Sequence, residues 1–457
     1  MLDDTIAAIS TPIGEGGIGI VRLSGPRALA IARSLFRRAA GGEQRRFQSH
    51  CLYYGQVRDP RTDEVVDEVL LAYMRAPHTY TREDVVEINC HGGLLPLQRT
   101  LELALRQGAR LAQPGELTLR AFLNGRLDLA QAESVIDIVR ARTSTGLRMA
   151  VDQLGGRLSA EIASLRREVL DVLAYLTVTV DFAEDDIPEQ DVEGPLARAL
   201  ERLDGLLATA DAGIIYRQGL QVSIVGRPNV GKSSLLNAIL RENRAIVTPV
   251  PGTTRDTLAE TLNLRGVPVV LVDTAGIRET NELVERLGVE RSRQAIARAD
   301  LALFVVDASE PLQDYDREIA GLLAAKPAVV VLNKVDLGQA VDIPAVAALL
   351  PERAVVSAAA TSGLGIEEVE EAVLSTALAG RAGASDTPLV SNPRHKEALW
   401  RAREQLVDAR ESLAAGLPAD FLTIDLTAAV AALGEITGES VTADLLETIF
   451  GQFCIGK

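Results

Sequence analysis

Three hydrophobic regimes follow one another along the chain. From residue 1 to about 119, short β-branched apolar runs at 18–23, 65–73 and 85–89 alternate with polar spacers, and one stretch at 94–105 carries apolar positions at helical spacing. That mixture predicts an α/β domain. From about 120 to 216 the period becomes helical, as at Ile162, Leu165, Val169, Val172, Leu173 and Leu176. Residues 217–380 return to apolar runs that end in glycine-containing loops, and a small, polar linker occupies 380–388. Helical spacing then resumes over 381–457, at Leu399, Leu406 and Leu413. Helix on both sides of a compact α/β unit predicts one domain inserted into another. No internal repeat or low-complexity tract disturbs the pattern.

Composition adds limits. A length of 457 residues with 47% hydrophobic content suits about three packed domains. The opening MLDDTIAAIS is acidic, and no apolar run reaches the ~18 residues that span a bilayer, so a cytoplasmic protein without a membrane segment is expected. Cys51, Cys90 and Cys454 are far apart and odd in number, which argues against a disulfide framework or a paired metal site. A net charge of −16 disfavours a general nucleic-acid coat but leaves room for RNA held at one local site. Only five of the 47 cationic residues are lysines: Lys232, Lys326, Lys334, Lys396 and Lys457. Where arginine serves so widely, a retained lysine marks a position of interest.

Two of those lysines sit in motifs. Gly226 to Ser234, GRPNVGKSS, follows the apolar run 220–225 and precedes an apolar-periodic stretch, the strand, loop and helix context that the G-x-x-x-x-G-K-S pattern requires. In that context the backbone N–H groups of Asn229, Val230, Gly231 and the helix start cradle phosphates. Lys232 supplies a compact charge for the β and γ phosphates of a nucleotide, and Ser233, followed by Ser234, offers a hydroxyl to Mg²⁺. Next comes Asp273, Thr274, Ala275 and Gly276, a D-x-x-G at the end of a β-rich run, where the Asp holds Mg²⁺ through water and the Gly N–H senses the γ-phosphate. Asn333, Lys334, Val335 and Asp336 end another run. An Asp there accepts two N–H bonds from the guanine edge, which adenine does not offer, while the Lys334 stem packs on the base. Ser357 and Ala358 close the site with a backbone donor for guanine O6. Four motifs in this order predict a GTP site on a Ras-like fold.

Hydrolysis needs another arrangement, because Ile277 stands where Ras-like proteins place a water-orienting Gln. Glu279, Glu282 and Glu285 are candidate acids in the following loop. The first switch is expected around Thr248, Pro249, Val250, Pro251, Gly252, Thr253 and Thr254, with a threonine for Mg²⁺ and carbonyls open to a further cation. A competing fingerprint, Gly14 to Gly19, matches G-x-G-x-x-G, but a dinucleotide site must open a helix and 18–23 reads as a strand.

GRPNVGKSSLLNA, PGTTRDT, DTAGIRET and NKVD, together with PIGEGGIGIVRLSG, REDVVEINCHGG, QPGELTLRAFLNGRLDLAQAE and a final CIGK, resemble the MnmE (TrmE) family of bacterial and organellar tRNA-modifying GTPases, within the TrmE-Era-EngA-like group. The likeness runs from about residue 5 to Lys457. It implies an N-terminal α/β tetrahydrofolate-binding and dimerisation domain over 1–119, a helical domain over 120–216 and 381–457, and a P-loop G domain over 217–380. It also implies a homodimer that works with the flavoprotein MnmG (GidA), in a heterotetramer or larger complex, to place an aminomethyl or carboxymethylaminomethyl group on C5 of the wobble uridine of certain tRNAs. The carbon would come from 5-formyl- or 5,10-methylene-tetrahydrofolate, and the amine from glycine or ammonium.

By position, the resemblance implies a folate site at Arg22, Glu87, Arg126 and Lys457, with Arg126 in place of the lysine usual in the family. It implies K⁺ held by Asn229 with Thr248, Val250 and Thr253, Mg²⁺ on Ser233 and Thr254, and Glu285 orienting water. A cation against the β and γ phosphates would do the work of an arginine finger. The ending FCIGK has the outline of a prenylation box, which Gly456 and Lys457 fit poorly. The expectation is a tail folded back beside the folate pocket, with Cys454 near the transferred carbon as nucleophile or packing residue. A ribosome-assembly switch would carry a KH-like or second G domain and a basic face. A purely regulatory GTPase would need neither the N-terminal domain nor CIGK.

Overall fold

Alternation along the first strands places one side of each in a core and leaves the other half-buried or exposed. The computed structural model describes residues 3–38, 46–182, 187–243, 261–272, 293–378 and 390–457. Strands β1 (Ile6–Ile9), β2 (Gly16–Ser24), β3 (Phe36–Arg38), β4 (Cys51–Arg58), β5 (Val65–Met74), β6 (Val85–Gly92) and β7 (Arg110–Leu111) form a sheet in the order β3-β4-β5-β6-β2-β1-β7. All neighbours are antiparallel except β1 and β7. Val21 and Leu23 of β2 and Val86 and Ile88 of β6 are buried beneath the helices Ala28–Leu35 and Leu94–Arg106, through Ile31, Leu35, Leu97 and Leu103. Arg22 and Glu87 sit between those apolar positions, so the period of two turns both to the opposite face, where the register sets them side by side. The glycine run 14–19 feeds β2 and opens no helix, as the strand reading requires.

The helix Glu116–Leu123 is tied to this sheet by a buried arginine. Arg120, 1% exposed, reaches Asp4 Oδ1 (2.5 Å), Glu83 Oε1 (3.1 Å) and Glu116 Oε1 (3.0 Å), while Arg110 pairs with Asp4 (2.7 Å) and Glu116 (2.5 Å). Burial raises the Asp4 and Glu116 carboxyls, but the two guanidiniums outweigh it and hold both below the usual range.

Beyond it the chain is helical. Arg157–Asp181 and Glu193–Gln218 pack against Pro393–Ala414 and Ala419–Thr437 around Ile162, Leu165, Val169, Leu203, Leu399, Leu406, Leu426 and Leu433. Residues from 130 to 210 and from 390 to 436 therefore share one core. Between them in sequence lies the second sheet: β8 (Leu220–Val225), β9 (Thr261–Leu264), β10 (Val267–Val272), β11 (Leu301–Asp307), β12 (Ala328–Asn333) and β13 (Ala354–Ser357), in the order β13-β12-β11-β8-β10-β9. Only β9 runs antiparallel to its neighbour. Every residue of β11 and β12 is buried, as expected for parallel strands covered on both faces. Open parallel sheets bind ligands beyond the carboxyl ends of their strands. Among the described residues no helix is long and apolar enough to cross a membrane.

Candidate nucleotide and tail sites

At the carboxyl end of β8 the chain turns through Gly226–Gly231 into the helix Lys232–Asn243. Asn229 and Gly231 have φ of 65° and 93°. Gly231 is needed for space as well as for its backbone, since a Cβ there would lie 2.2 Å from Asn333 Nδ2. Asn333, the last residue of β12, donates Nδ2 to Val230 O (2.8 Å) and accepts at Oδ1 from Ala360 N (3.1 Å). One buried amide thus joins the phosphate loop, the Asn-Lys-x-Asp segment and the turn after β13.

The Lys232 ammonium donates to Gly226 O (2.8 Å) and Arg227 O (2.7 Å), and burial lowers its pKa to about 8. A lysine folded onto its own loop and pressed toward neutrality fits a site for an anion. Arg227 pins the loop from outside through Glu310 (2.7 Å). Ser233 is exposed at the helix start and Ser234 is half-buried.

Lys334, with φ 65°, pairs with Asp307 Oδ2 at the end of β11 (2.6 Å), and Asp336 is exposed in the turn Val335–Leu337. Asp307 is a partner that the tetrapeptide alone did not reveal. Hydrogen bonding and charge from Lys334 and hydrogen bonds from Ser309 overcome burial and lower its carboxyl pKa. The turn after β13 is held by backbone hydrogen bonds. The Ala358 N–H donates to Leu332 O (2.8 Å), and those of Ala359 and Ala360 go to Leu364 O and Asn333 Oδ1. The pairing of β12 with β13 thus continues to Ala358. The expected switch residues Thr248, Pro249, Val250, Pro251, Gly252, Thr253 and Thr254, and Asp273, Thr274, Ala275, Gly276, Ile277, Glu279, Glu282 and Glu285, lie outside the described residues.

The carboxyl terminus is seated. Ile455 forms a bridge with Pro114, Gly115 N donates to Cys454 O (3.3 Å), and Leu117 N donates to Lys457 O (3.2 Å). Gly456 has φ 92°, and a Cβ on it would lie 2.3 Å from Ile9 O, so the turn admits no larger residue without displacing β1. Phe453 is buried against Phe450 (5.5 Å between centroids), whereas Cys454 is exposed.

Lys457 lines a cavity of about 340 Å³ with Tyr80, Arg126, Leu127, Ile138 and Leu154. The Arg126 guanidinium lies 4.7 Å from the Tyr80 ring centre and donates to Tyr80 O (3.3 Å). Burial raises the Tyr80 hydroxyl, opposed by Thr118 and by the charges of Arg126 and Arg22. Of the four expected folate residues, the fold brings Arg126 and Lys457 to one cavity. Arg22 and Glu87 instead bond to each other nearby, Nε to Oε1 at 2.9 Å. Tyr80 escaped the sequence reading because a lone aromatic in a polar loop has no periodic context. The same holds for Glu133, which accepts from Arg394 (2.7 Å), His395 (2.7 Å) and Asn392 (3.0 Å). Burial raises the Glu133 carboxyl, but its cationic neighbours bring it down to about 2.

A glycine loop opening a helix beyond a parallel sheet, bonded to an Asn-Lys-x-Asp turn, defines a P-loop GTPase. Residues 5–126 match the family model "GTP-binding protein TrmE N-terminus", and residues 129–454 match "MnmE helical domain". Proteins named tRNA modification GTPase MnmE from Chloroflexus aurantiacus, Roseiflexus sp. and Desulforamulus reducens are 55%, 53% and 48% identical, with 100% of each chain covered. Among solved structures, the FeoB G-domain from Methanococcus jannaschii is 22% identical over 35% of this chain and 97% of its own, with a TM-score of 0.26. The chain belongs to the MnmE family of tRNA modification GTPases.

Proposed function

We propose that this chain hydrolyses GTP to drive modification of C5 of the wobble uridine, position 34, in certain tRNAs. It would work as a homodimer with the flavoprotein MnmG (GidA), in the cytoplasm. The observation that carries the reading is that one chain holds both a nucleotide loop and a terminal CIGK segment bridged to Pro114, with Lys457 beside Arg126 and Tyr80. A regulatory GTPase would have no use for the second feature. The shared helical core supports a G domain, about 217–380, inserted into a helical domain of 120–216 and 381–457, with residues 1–119 as the folate-binding and dimerisation domain.

The residues fit the groups this reading needs. An ammonium held by loop carbonyls suits the β and γ phosphates of GTP, with Asp336 selecting guanine and Lys334 against the base. Mg²⁺ would take Ser233 and Thr254. K⁺ would take Asn229 with Thr248, Val250 and Thr253, and Glu285 would orient water. A tetrahydrofolate, whose one-carbon unit supplies the transferred methylene, suits a cavity whose cations, Arg126 and Lys457, can meet its carboxylates and whose Tyr80 offers an aromatic face. Arg22 is already paired with Glu87, so these two would position the pocket wall or open to the pterin as a pair. Cys454 is exposed three residues before Lys457, and its thiolate would be the nucleophile toward an electrophilic carbon or would pack against the folate.

Reconstitution tests the reading. Purified chain, the flavoprotein, unmodified tRNA, glycine and labelled methylene-tetrahydrofolate should transfer label to tRNA with GTP and not with a non-hydrolysable analogue. Equal transfer without GTP hydrolysis would remove the link between the two sites.

A further inference from the structure

A second cavity, of about 550 Å³, lies on the other side of the helix Leu129–Arg140 from the Lys457 cavity. Val135, Ile138 and Val139 of that helix face one cavity; Glu133, Ile136, Asp137 and Arg140 face the other. The terminal segment connects them, since Gln452 and Phe453 line the larger cavity and Lys457 lines the smaller. The larger cavity also receives both passages between the helical core and the nucleotide-binding sheet, at 216–218 and 391–394.

Its charge is unbalanced. The charged residues lining it are Arg140, Arg142, Arg217 and Arg394 against Glu133 and Asp137. Arg394 is spent on Glu133, and Arg217 on Asp137 (2.7 Å). Arg140 donates to the neutral Gln452 O (2.8 Å) and Arg142 to Thr261 Oγ1 (3.3 Å), and neither has a carboxylate partner among the described residues. Two uncompensated guanidiniums in a concavity stand out on a chain of net charge −16. Tyr216 lines the same space, and 550 Å³ lies within the range of pockets that take a small organic ligand. Arginines for phosphate beside an aromatic face for a base are how proteins hold unpaired nucleotides.

We infer that this cavity is the docking site for an unpaired nucleotide of the RNA substrate, with Arg140 and Arg142 on its phosphates and Tyr216 against a base. The inference rests on the proposed tRNA reading and adds its location. It places RNA against Gln452 and Phe453, one residue from Cys454, with the one-carbon cavity across a single helix. Because Arg140 also holds the backbone of Gln452, bound phosphate would compete for the group that fixes the start of the tail.

The test is fluorescence anisotropy of a labelled anticodon stem-loop RNA with unmodified uridine at the wobble position, titrated with the full-length protein across a salt series. Arg140→Gln with Arg142→Gln should weaken binding about tenfold at 0.1 M KCl and flatten the slope of log K against log salt by roughly 0.7 per lost phosphate contact. Arg142→Gln alone, which leaves the Gln452 contact in place, should give part of the loss, and Arg142→Lys should restore most of it. Arg148→Gln makes the same charge change on the neighbouring helix outside the cavity and should stay within about twofold of the parent. If the parent binds and the double variant matches it, or if Arg148→Gln loses as much, the cavity assignment is overturned while the tRNA reading stands. If the parent binds no RNA, both fall.

Discussion

Lys232 gives the nucleotide site a proton signature. Burial holds its pKa at about 8, against an ordinary value of 10.5, and its hydrogen bonds go to two carbonyls of its own loop. Nucleotide phosphates would restore the charged form, so binding takes up a proton. With the free site at about 8, roughly a tenth of a proton is taken up at pH 7 and about three quarters at pH 8.5, and affinity falls toward tenfold per pH unit above that. For folding, the unfolded lysine keeps its proton up to 10.5 while the folded one releases it above about 8, so this group makes stability rise with pH between those values. Calorimetric titration with Mg·GDP at pH 8.5, in buffers of small and large ionisation enthalpy, reads the uptake directly. The apparent enthalpy should differ between buffers by about three quarters of the difference in their ionisation enthalpies, and Lys232→Met should abolish the difference. Identical enthalpies for the parent protein would refute a lysine held near neutrality.

Asp336→Asn should weaken GTP binding and improve XTP binding, because the new amide donates to the xanthine carbonyl; unchanged GTP affinity in a competition assay would sink the role given to Asp336. GTP turnover should be faster in K⁺ than in Na⁺ at constant ionic strength, and Asn229→Ala should remove that response; equal rates in the two salts would end the cation assignment. Arg120→Met should cost about 3–5 kcal/mol locally, since it strips a 1% exposed guanidinium from Glu116 and Asp4. Hydrogen exchange in β1 and β7 reads that loss, and unchanged protection there would contradict it.

The periodic parts of the fold were legible. The strands read at 18–23, 65–73 and 85–89 lie within β2, β5 and β6, and the helix read at 94–105 is Leu94–Arg106. Each repeats its burial pattern over enough residues to register. β1, β3 and β7 are four residues or fewer, too short for a period to register, and β7 owes its place to β1, about a hundred residues away, so no local pattern announces them. Helix Glu116–Leu123 depends on Arg120, a charged residue whose burial follows from carboxylates at 4, 83 and 116.

Site residues divided similarly. Lys232 and Asn333 declared themselves because contiguous motifs bring their own backbone geometry. Asp307, Tyr80 and Glu133 gain their meaning from tertiary neighbours alone. The retained lysines were informative in three instances: Lys232, Lys334 and Lys457 each occupy a cleft or ion pair beside a candidate site. Lys396 pairs with Asp211 in the helical region, where its role is structural.

Nucleoside mass spectrometry of tRNA tests the central claim most directly, in a strain lacking this chain and in the same strain complemented with the parent or Cys454→Ser. Aminomethyl-type groups on the wobble uridine should vanish in the deletion, return with the parent, and stay absent with Cys454→Ser although that variant still hydrolyses GTP. Modified wobble uridine persisting in the deletion strain would contradict the assignment of this GTPase to tRNA modification.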